Sequence, residues 1–295
     1  MIFRGYFMNI LLLLMFTIEL FASWNLDPNV KVMESKTKIK DGIVFARLFV
    51  FTSRHGLNGA SFDGWSQSNR YNPDYLAHVS AIIDDASVFD AELSPYLPKN
   101  PYVQFGFKDF TDSDDITYVL TDNHGEKIQQ SFKIERYDPL KNQKATTEQK
   151  RVKPITLNPK AWEAVAVDSA IEAVFPQYSS RKMNKTKIPL LVNSMDGTNT
   201  SRDCSSIERD CLVCSGLPPK VDIKTQAALR KIAIFSTTTP KPLLALIQLA
   251  DNGFVDVRMN FQLDKPGELF FIGEGKDNQL YRSETLFFTR MADCD

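Results

Sequence analysis

Histidine is scarce in this chain of 295 residues, which carries only His55, His78 and His124. Hydrolases need a nucleophile beside a base, and the sequence has no G-x-S-x-G, no H-E-x-x-H and no phosphate-binding glycine loop. His78 lies in a strand-like pattern and His124 in a turn, and acidic residues on strand faces fit a solvated surface. We therefore expect a protein that is not an enzyme, with no catalytic residues, no metal and no cofactor.

An excess of either charge is also lacking, because 35 lysines and arginines oppose 36 aspartates and glutamates, for a net charge of −1. Such a balance gives no support to nucleic-acid binding or to broad attraction to a membrane. We therefore expect neither nucleic acid nor a membrane among the partners.

Long apolar runs are absent after residue 18, and the run at 10–18 is too short to span a bilayer. It follows Arg4 and precedes Ala22 and Ser23, an order typical of a secretory signal peptide. We predict that residues 1–22 are a signal peptide and that the mature protein is exported and soluble. A membrane anchor is the alternative.

Helical patterning is rare, and most of the chain consists of short segments rich in β-branched and aromatic residues. Strand-like segments occupy 43–51, 75–83, 102–110, 116–122, 188–193, 230–237, 242–249, 254–263, 268–275 and 280–290. One helix is predicted over 159–175, where Asn158 suits the N-cap and Pro159 the first helical position. The pattern predicts a mainly β fold of two immunoglobulin-like sandwiches, the second preceded by one α-helix.

The composition divides the mature chain into three parts. A β-sandwich is expected over 28–137, and a polar, lysine-rich linker without periodicity over 138–157. The helix and the second sandwich, with a terminal cysteine, follow over 158–295.

Four cysteines are the chemically distinctive residues: Cys204, Cys211, Cys214 and Cys294. The first three lie in a long polar loop, and an oxidising compartment favours disulfides, with three possible pairings. Cys211 and Cys214 also form a C-x-x-C pair, which a redox protein could use, and Cys204 would bring a zinc site to only three ligands. A disulfide that ties the loop, a redox pair and a metal site all stay open.

Cys294 stands apart because it lies one residue from the end of the chain, between Asp293 and Asp295. At roughly 3.3–3.6 Å per residue, the segment after the last strand could carry this thiol about 12–15 Å from the sandwich. The carboxylates disfavour its thiolate form. An exposed thiol that reacts poorly alone suits a carrier, while a disulfide with a loop cysteine remains the alternative.

Two stretches of the chain resemble the subunits of the Sox thiosulfate-oxidation sulfur carrier. Residues 229–295 contain IAIFSTTTPKPLLALIQLADNGFVDVRMNFQL and the terminal cysteine, and they resemble the Y subunit, SoxY. Residues 40–136 contain DGIVFARLFVFTSRHG and NPYVQF, and they resemble the Z subunit, SoxZ. The chain thus looks like a fusion in which the SoxZ-like half precedes the SoxY-like half.

The resemblance implies a non-enzymatic periplasmic carrier that holds a sulfur oxyanion such as thiosulfate covalently on Cys294. It implies three partners: a haem cytochrome complex that loads the carrier, a hydrolase that releases sulfate, and a sulfane dehydrogenase. The chain departs from the family in its arm, where Met291, Ala292 and Asp293 stand in place of glycines. Two alternatives remain: an exported binding or structural module with disulfide-stapled loops, and a thiol-disulfide protein that uses Cys211 and Cys214.

Overall fold

The protein is described by a computed structural model. The residues it describes are 32–51, 75–98, 100–108, 115–134, 145–146, 159–178, 183–188, 190–193, 213–214, 220–225, 227–251, 253–261, 263 and 267–289. The N-terminal half contains β1 (Met33–Lys40), β2 (Ile43–Val50), β3 (Leu76–Ile83), β4 (Ala86–Leu93), β5 (Tyr102–Phe107), β6 (Asp115–Asp122), β7 (Lys127–Lys133) and β8 (Ala145–Thr146).

The C-terminal half opens with two short helices, α1 (Pro159–Glu163) and α2 (Val167–Val174). Its strands are β9 (Met183–Ile188), β10 (Leu190–Asn193), β11 (Val213–Cys214), β12 (Lys220–Lys224), β13 (Leu229–Ser236), β14 (Leu243–Leu249), β15 (Gly253–Asn260), β16 (Gly267–Gly275), β17 (Leu280–Ser283) and β18 (Leu286–Thr289). The prediction of a mainly β fold is confirmed.

The strands form two sheets. The small sheet has six strands in the order β1-β2-β5-β15-β12-β10. The large sheet has twelve, and its main path runs β11-β18-β16-β13-β14-β4-β3-β6-β7-β8, with β17 paired to β16 and β9 to β17. The two sheets pack on each other as a sandwich, since Phe89 of β4 stacks on Phe105 of β5 with ring centroids 4.3 Å apart.

Both sheets continue across the two halves of the chain. In the large sheet β4 pairs antiparallel with β14, with Phe89 opposite Leu249. In the small sheet β5 pairs antiparallel with β15, with Gln104 opposite Arg258. The sequence predicts two sandwiches. It does not show that, in each sheet, an edge strand of one half pairs with an edge strand of the other half. Pairing these edges removes unpaired backbone groups that would otherwise be open to aggregation.

One apolar core runs through both halves between the sheets. Alternation along each strand sends side chains such as Val44, Phe105, Val257 and Phe271 into it, all fully buried. Tyr118 is buried there too, and its hydroxyl lies 3.1 Å from Ser35 Oγ, which satisfies both polar groups. Burial raises the pKa of Tyr118 because the core disfavours a phenolate.

A second apolar cluster lies on the outer face of the large sheet in the C-terminal half. Here Ile171, Val174 and Phe175 pack against Phe235 and Phe270. The single helix predicted over 159–175 forms instead as α1 and α2, because Ala166 takes an extended backbone (φ −100°, ψ 141°) before the second helix. No helix in the described ranges is long and apolar enough to cross a bilayer.

Two strands lie where the sequence pattern gives little warning. β1 (MESKTKIK) buries Met33, Ser35 and Thr37, and because two of these are polar its alternation is hard to read from sequence. β8 lies inside the predicted linker 138–157 and pairs with β7, with Ala145 opposite Phe132.

Candidate functional site

The four cysteines predicted as site residues are described only in part. Cys204, Cys211 and Cys294 lie outside the described residues, and Cys214 is described through its backbone alone. Cys214 ends β11, which runs parallel to β18 with Cys214 opposite Thr289. A loop cysteine therefore lies beside the strand that leads to the chain terminus.

β18 forms the root of the C-terminal arm. It pairs antiparallel with β16, with Leu286 opposite Leu269 and Phe288 opposite Gly267. β16 in turn pairs with β13 along most of its length. The backbone is thus anchored in the large sheet up to Thr289, five residues before Cys294.

The start of β16, which holds this root, is itself tightly placed. A Cβ atom added at Gly267 would collide with the side chain of Thr238, so only glycine lets the strand pass this close to the turn. The neighbouring Glu268 exchanges two hydrogen bonds with Thr237: the Thr237 amide donates to the Glu268 carbonyl at 3.1 Å, and the Glu268 amide donates to Thr237 Oγ1 at 3.1 Å. These contacts hold the part of β16 that pairs with β18.

A polar network crosses the junction between the halves on the outer face of the small sheet. At its centre, Gln104 Oε1 accepts from Arg47 Nε at 3.0 Å and from the Tyr102 hydroxyl at 2.8 Å. Gln104 Nε2 donates to Asp256 Oδ1 at 2.9 Å, and this bond joins β5 to β15. We call these residues, with the ion pairs next described, the junction network.

The ion pairs of the junction network lie in the C-terminal half. Arg258 Nε is 2.9 Å from Asp222 Oδ2 and 3.6 Å from Asp256 Oδ1. Lys224 Nζ is 3.9 Å from Asp256 Oδ2. Burial raises the pKa of Asp256, and the cations of Lys224 and Arg258 act in the opposite direction. The network can hold the halves in register, but it offers no nucleophile.

A buried cluster on the outer face of the large sheet contains His78, which looks at first like part of a catalytic triad. His78 Nε2 lies 2.7 Å from Asp90 Oδ1, and Ser80 Oγ donates to the same oxygen at 2.5 Å. The carboxylate therefore lies between the hydroxyl and the imidazole. Activation of a serine needs the imidazole next to the hydroxyl, so this order favours a structural role.

A cavity of about 480 Å³ lies beside this cluster, between the large sheet and α1. His78, Thr121, Lys127 and Trp162 are among its lining residues. The Trp162 indole Nε1 donates to Glu92 Oε2 at 2.6 Å, which ties α1 to β4. Cations and carboxylates line it together, and the described residues contain no group of three or more His, Cys, Asp or Glu suited to a metal.

Sequence reasoning missed the junction network because it interpreted acidic residues on strand faces as solvated. Asp90, Asp222 and Asp256 are instead 2%, 1% and 7% exposed. A signal was present in FVDVRMN, where Asp256 and Arg258 occupy the face opposite to Val255 and Val257. Alternation gave the face, but only the pairing of β15 with β5 and β12 brings Gln104 and Asp222 beside these two residues.

Comparison with known proteins gives one family. Residues 57–133 match the model of the sulphur oxidation protein SoxZ. No curated protein matches the chain. A solved structure entitled "Structures of Clostridium thermocellum CbhA fibronectin(III)-like modules" is 7% identical over 88% of this chain and 92% of that one, at a TM-score of 0.21, and we draw nothing from it. The match of residues 57–133 to SoxZ supports a role in the Sox sulfur-oxidation system and interaction with other Sox proteins.

Proposed function

We propose that this protein is a periplasmic sulfur carrier that holds sulfur intermediates covalently on Cys294 and presents them to separate Sox-type enzymes. The observation that carries the proposal is the joining of a SoxZ domain, through both sheets, to a second half whose last strand leads directly to the terminal cysteine.

The second half fits a SoxY-like unit in its arrangement. Its helices cover one face of the large sheet, and its strands β14 and β15 pair edge to edge with the SoxZ half. Two subunits that assemble through these edges would gain from fusion, because a covalent link makes the association intramolecular. The order of the halves leaves the cysteine at the end of the chain.

The arm would act as a tether. β18 pairs with β16 up to Phe288 and with β11 at Thr289, so motion of the cargo would be confined to the five residues that lead to Cys294. Asp293 and Asp295 disfavour the thiolate, which would keep the thiol unreactive until a partner site supplies positive charge. Reactivity would then be limited to the loading enzyme.

Loading with thiosulfate is an oxidation. The thiol loses its proton, its sulfur bonds to the outer sulfur of thiosulfate, and two electrons leave. The product is a cysteine S-thiosulfonate. The haem cytochrome complex is the oxidant that accepts these electrons. No residue of the carrier needs to change redox state apart from Cys294.

A non-enzymatic role is supported by the cluster of residues that most resembles a catalytic triad. The cluster of Ser80, His78 and Asp90 has the wrong order for a triad, and its residues are 5%, 8% and 2% exposed. We propose that the chemistry is performed by the partner enzymes.

A thiol-disulfide function is the second candidate, because Cys214 lies opposite Thr289 at the root of the arm. A disulfide needs the two Cα atoms within about 7 Å, and five residues of chain are enough to turn back by one strand spacing. In this alternative the arm would alternate between a bond to Cys214 and a free thiol.

In vitro loading distinguishes the two candidates. The reduced full-length protein is incubated with thiosulfate and the oxidised haem cytochrome complex, and intact mass is measured together with haem reduction. We expect a mass gain of one S2O3 unit, because thiosulfuric acid is added and two hydrogens are lost, accompanied by two electrons per adduct. Cys294→Ser should abolish both changes, and Cys214→Ser should leave them intact.

The opposite pattern would reject the carrier. A loss of two hydrogens without added sulfur, abolished by Cys214→Ser, would establish the intramolecular disulfide as the reaction of Cys294.

A further inference from the structure

The outer face of the small sheet carries a row of lysines at its β1 edge. Alternation along β1 directs Lys36, Lys38 and Lys40 outward, and all three are exposed. The register places Lys36 opposite Arg47 and Lys38 opposite Phe45 on β2. Lysines on an edge strand prevent pairing with other chains, but that role does not explain the aromatic rings beside them.

Aromatic rings form the centre of this face, and they come from both halves of the chain. Phe45 and Phe254 both lie opposite Gly106. Their rings meet edge to face with centroids 6.1 Å apart. A Cβ atom at Gly106 would lie 3.2 Å from Phe254 Cβ and Cδ1, so the glycine lets the ring lie over the strand. Three rings on this face, Phe45, Phe49 and Phe254, remain partly exposed.

The cations are held next to these rings. Lys36 Nζ is 5.6 Å from the centroid of Phe49 and 3.1 Å from Glu34 Oε1. Lys108 Nζ is 6.0 Å from the centroid of Phe254. Such contacts limit the freedom of the side chains, and an ordered surface loses less entropy when a partner binds.

The face is strongly basic in a chain that is nearly neutral. Its exposed cations are Lys36, Lys38, Lys40, Arg47 and Lys108. Among the described residues, the carboxylates at this edge are Glu34 and Asp41, and those of the junction network are buried beneath the surface. A local excess of positive charge attracts an acidic partner and accelerates its association.

We propose that this basic and aromatic face is the docking surface for an acidic patch on a partner protein. Taken with the proposed carrier function, on which this identification rests, the partner is one of the Sox-type enzymes. Rings and arginine at the centre with lysines at the rim match the usual anatomy of a protein interface.

The docking surface is formed by residues from both halves of the chain. Because Phe45 and Lys36 belong to the SoxZ half while Phe254 belongs to the other half, the complete surface exists only when β5 and β15 are paired. A partner that binds here recognises the assembled carrier. A nucleic acid or an anionic membrane would favour an uninterrupted positive face, whereas Glu34 and Asp41 interrupt this one.

The test measures the affinity of the full-length protein for each of the three purified Sox-type enzymes, at low and high salt. The variant Lys36→Glu/Lys38→Glu/Lys40→Glu should weaken binding to at least one enzyme by about tenfold or more at low salt, with a smaller difference at high salt. Phe45→Ala/Phe254→Ala should weaken the same complex at both salt concentrations. The matched control, Lys133→Glu/Lys160→Glu/Lys241→Glu, changes the same charge at exposed sites off this face and should bind normally.

Binding should also survive Cys294→Ser, which separates this inference from the carrier function. If the wild-type protein carries no sulfur on Cys294 while the lysine variant still loses binding, the carrier proposal fails and the docking surface stands. Unchanged affinity in the lysine variant, or equal loss in the control, overturns the docking surface even when Cys294 carries sulfur. Absence of binding by the wild-type protein overturns it, as does binding of anionic vesicles or DNA that depends on the lysines while enzyme binding does not.

Discussion

The outer face of the large sheet has two regions of opposite character. In the C-terminal half it is apolar and covered by α1 and α2, with Phe235 and Phe270 stacked 5.5 Å apart beneath them. In the N-terminal half the same face carries His78, Ser80 and Asp90. One continuous sheet therefore has a face that is stabilised by apolar packing on one side of the junction and by hydrogen bonds on the other.

The difference shows how the layers that cover a sheet determine the pattern of its strands. β14 (LLALIQL) is buried on both faces and is almost continuously apolar, as expected for a strand with a layer on each side. β3 interrupts its apolar run with histidine and serine, yet it is nearly as buried. Strands of both halves are therefore buried, but β14 buries almost only apolar side chains, whereas β3 also buries polar ones.

The largest loss of stability should come from removing one of the aromatic rings that lie beneath α1 and α2. Phe270 is 1% exposed, stacks on Phe235 and lies 4.1 Å from the guanidinium carbon of Arg282. We expect Phe270→Ala to lower the free energy of unfolding by about 3–5 kcal/mol, measured by urea denaturation. Val165→Ala, at a site 80% exposed on the helix side, serves as the control and should stay within about 0.5 kcal/mol. A loss near zero for Phe270 would mean that the helices do not stabilise this face.

Substitutions in the polar cluster of His78, Ser80 and Asp90 should lower the free energy of unfolding by somewhat less. Asp90→Ala removes the acceptor of the Ser80 hydroxyl and the carboxylate that lies 2.7 Å from His78 Nε2, and we expect a loss of about 2–3 kcal/mol. Ser80→Ala removes only one bond and should cost about 1 kcal/mol. If both variants are as stable as the wild type, the contacts of Asp90 do not stabilise the folded protein.

The junction network should make stability depend on pH. Burial holds the pKa of Asp256 above its ordinary value of about 4, so the folded state favours the protonated acid. The stability that Asp256 contributes is fully present below the ordinary pKa and is lost as the pH rises through the raised pKa. Relative to Asp256→Asn, the free energy of unfolding of the wild type should therefore fall with rising pH in this window and then stay constant. A difference that grows with pH would contradict the direction of the shift.

The smallest effect on stability is expected at the arm. If Cys294 ends a tether that follows β18, Cys294→Ala should change the free energy of unfolding under non-reducing conditions by less than about 0.5 kcal/mol. A disulfide that closes a loop typically contributes about 2–4 kcal/mol. A loss of that size, absent in reducing buffer, would support the stapled module over the carrier.

The fold class follows from the sequence because most strands carry their own alternation. β2, β3, β5 and β14 lie within segments where the pattern predicts a strand, and β6, β13, β15 and β16 begin one residue before such segments. β1 lacks such a pattern because Ser35 and Thr37 take its buried positions. The pairings of β4 with β14 and β5 with β15 are contacts between distant segments, which local periodicity cannot encode.

The candidate site is likewise only partly predictable from the sequence. Cys294 is conspicuous in the sequence because a terminal thiol between aspartates is unusual, and its role remains a prediction. The junction network and the basic and aromatic face depend on register across β1, β2, β5 and β15, so no segment read alone reveals them.

The most direct test of the central claim is the intact mass of the protein purified from cells that are oxidising a reduced sulfur compound, followed by peptide mapping of the C-terminus. The account predicts a population in which Cys294 carries additional sulfur, lost on treatment with reductant and absent from Cys294→Ser. A protein in which Cys294 is always found in an intramolecular disulfide, and never with added sulfur, would contradict it.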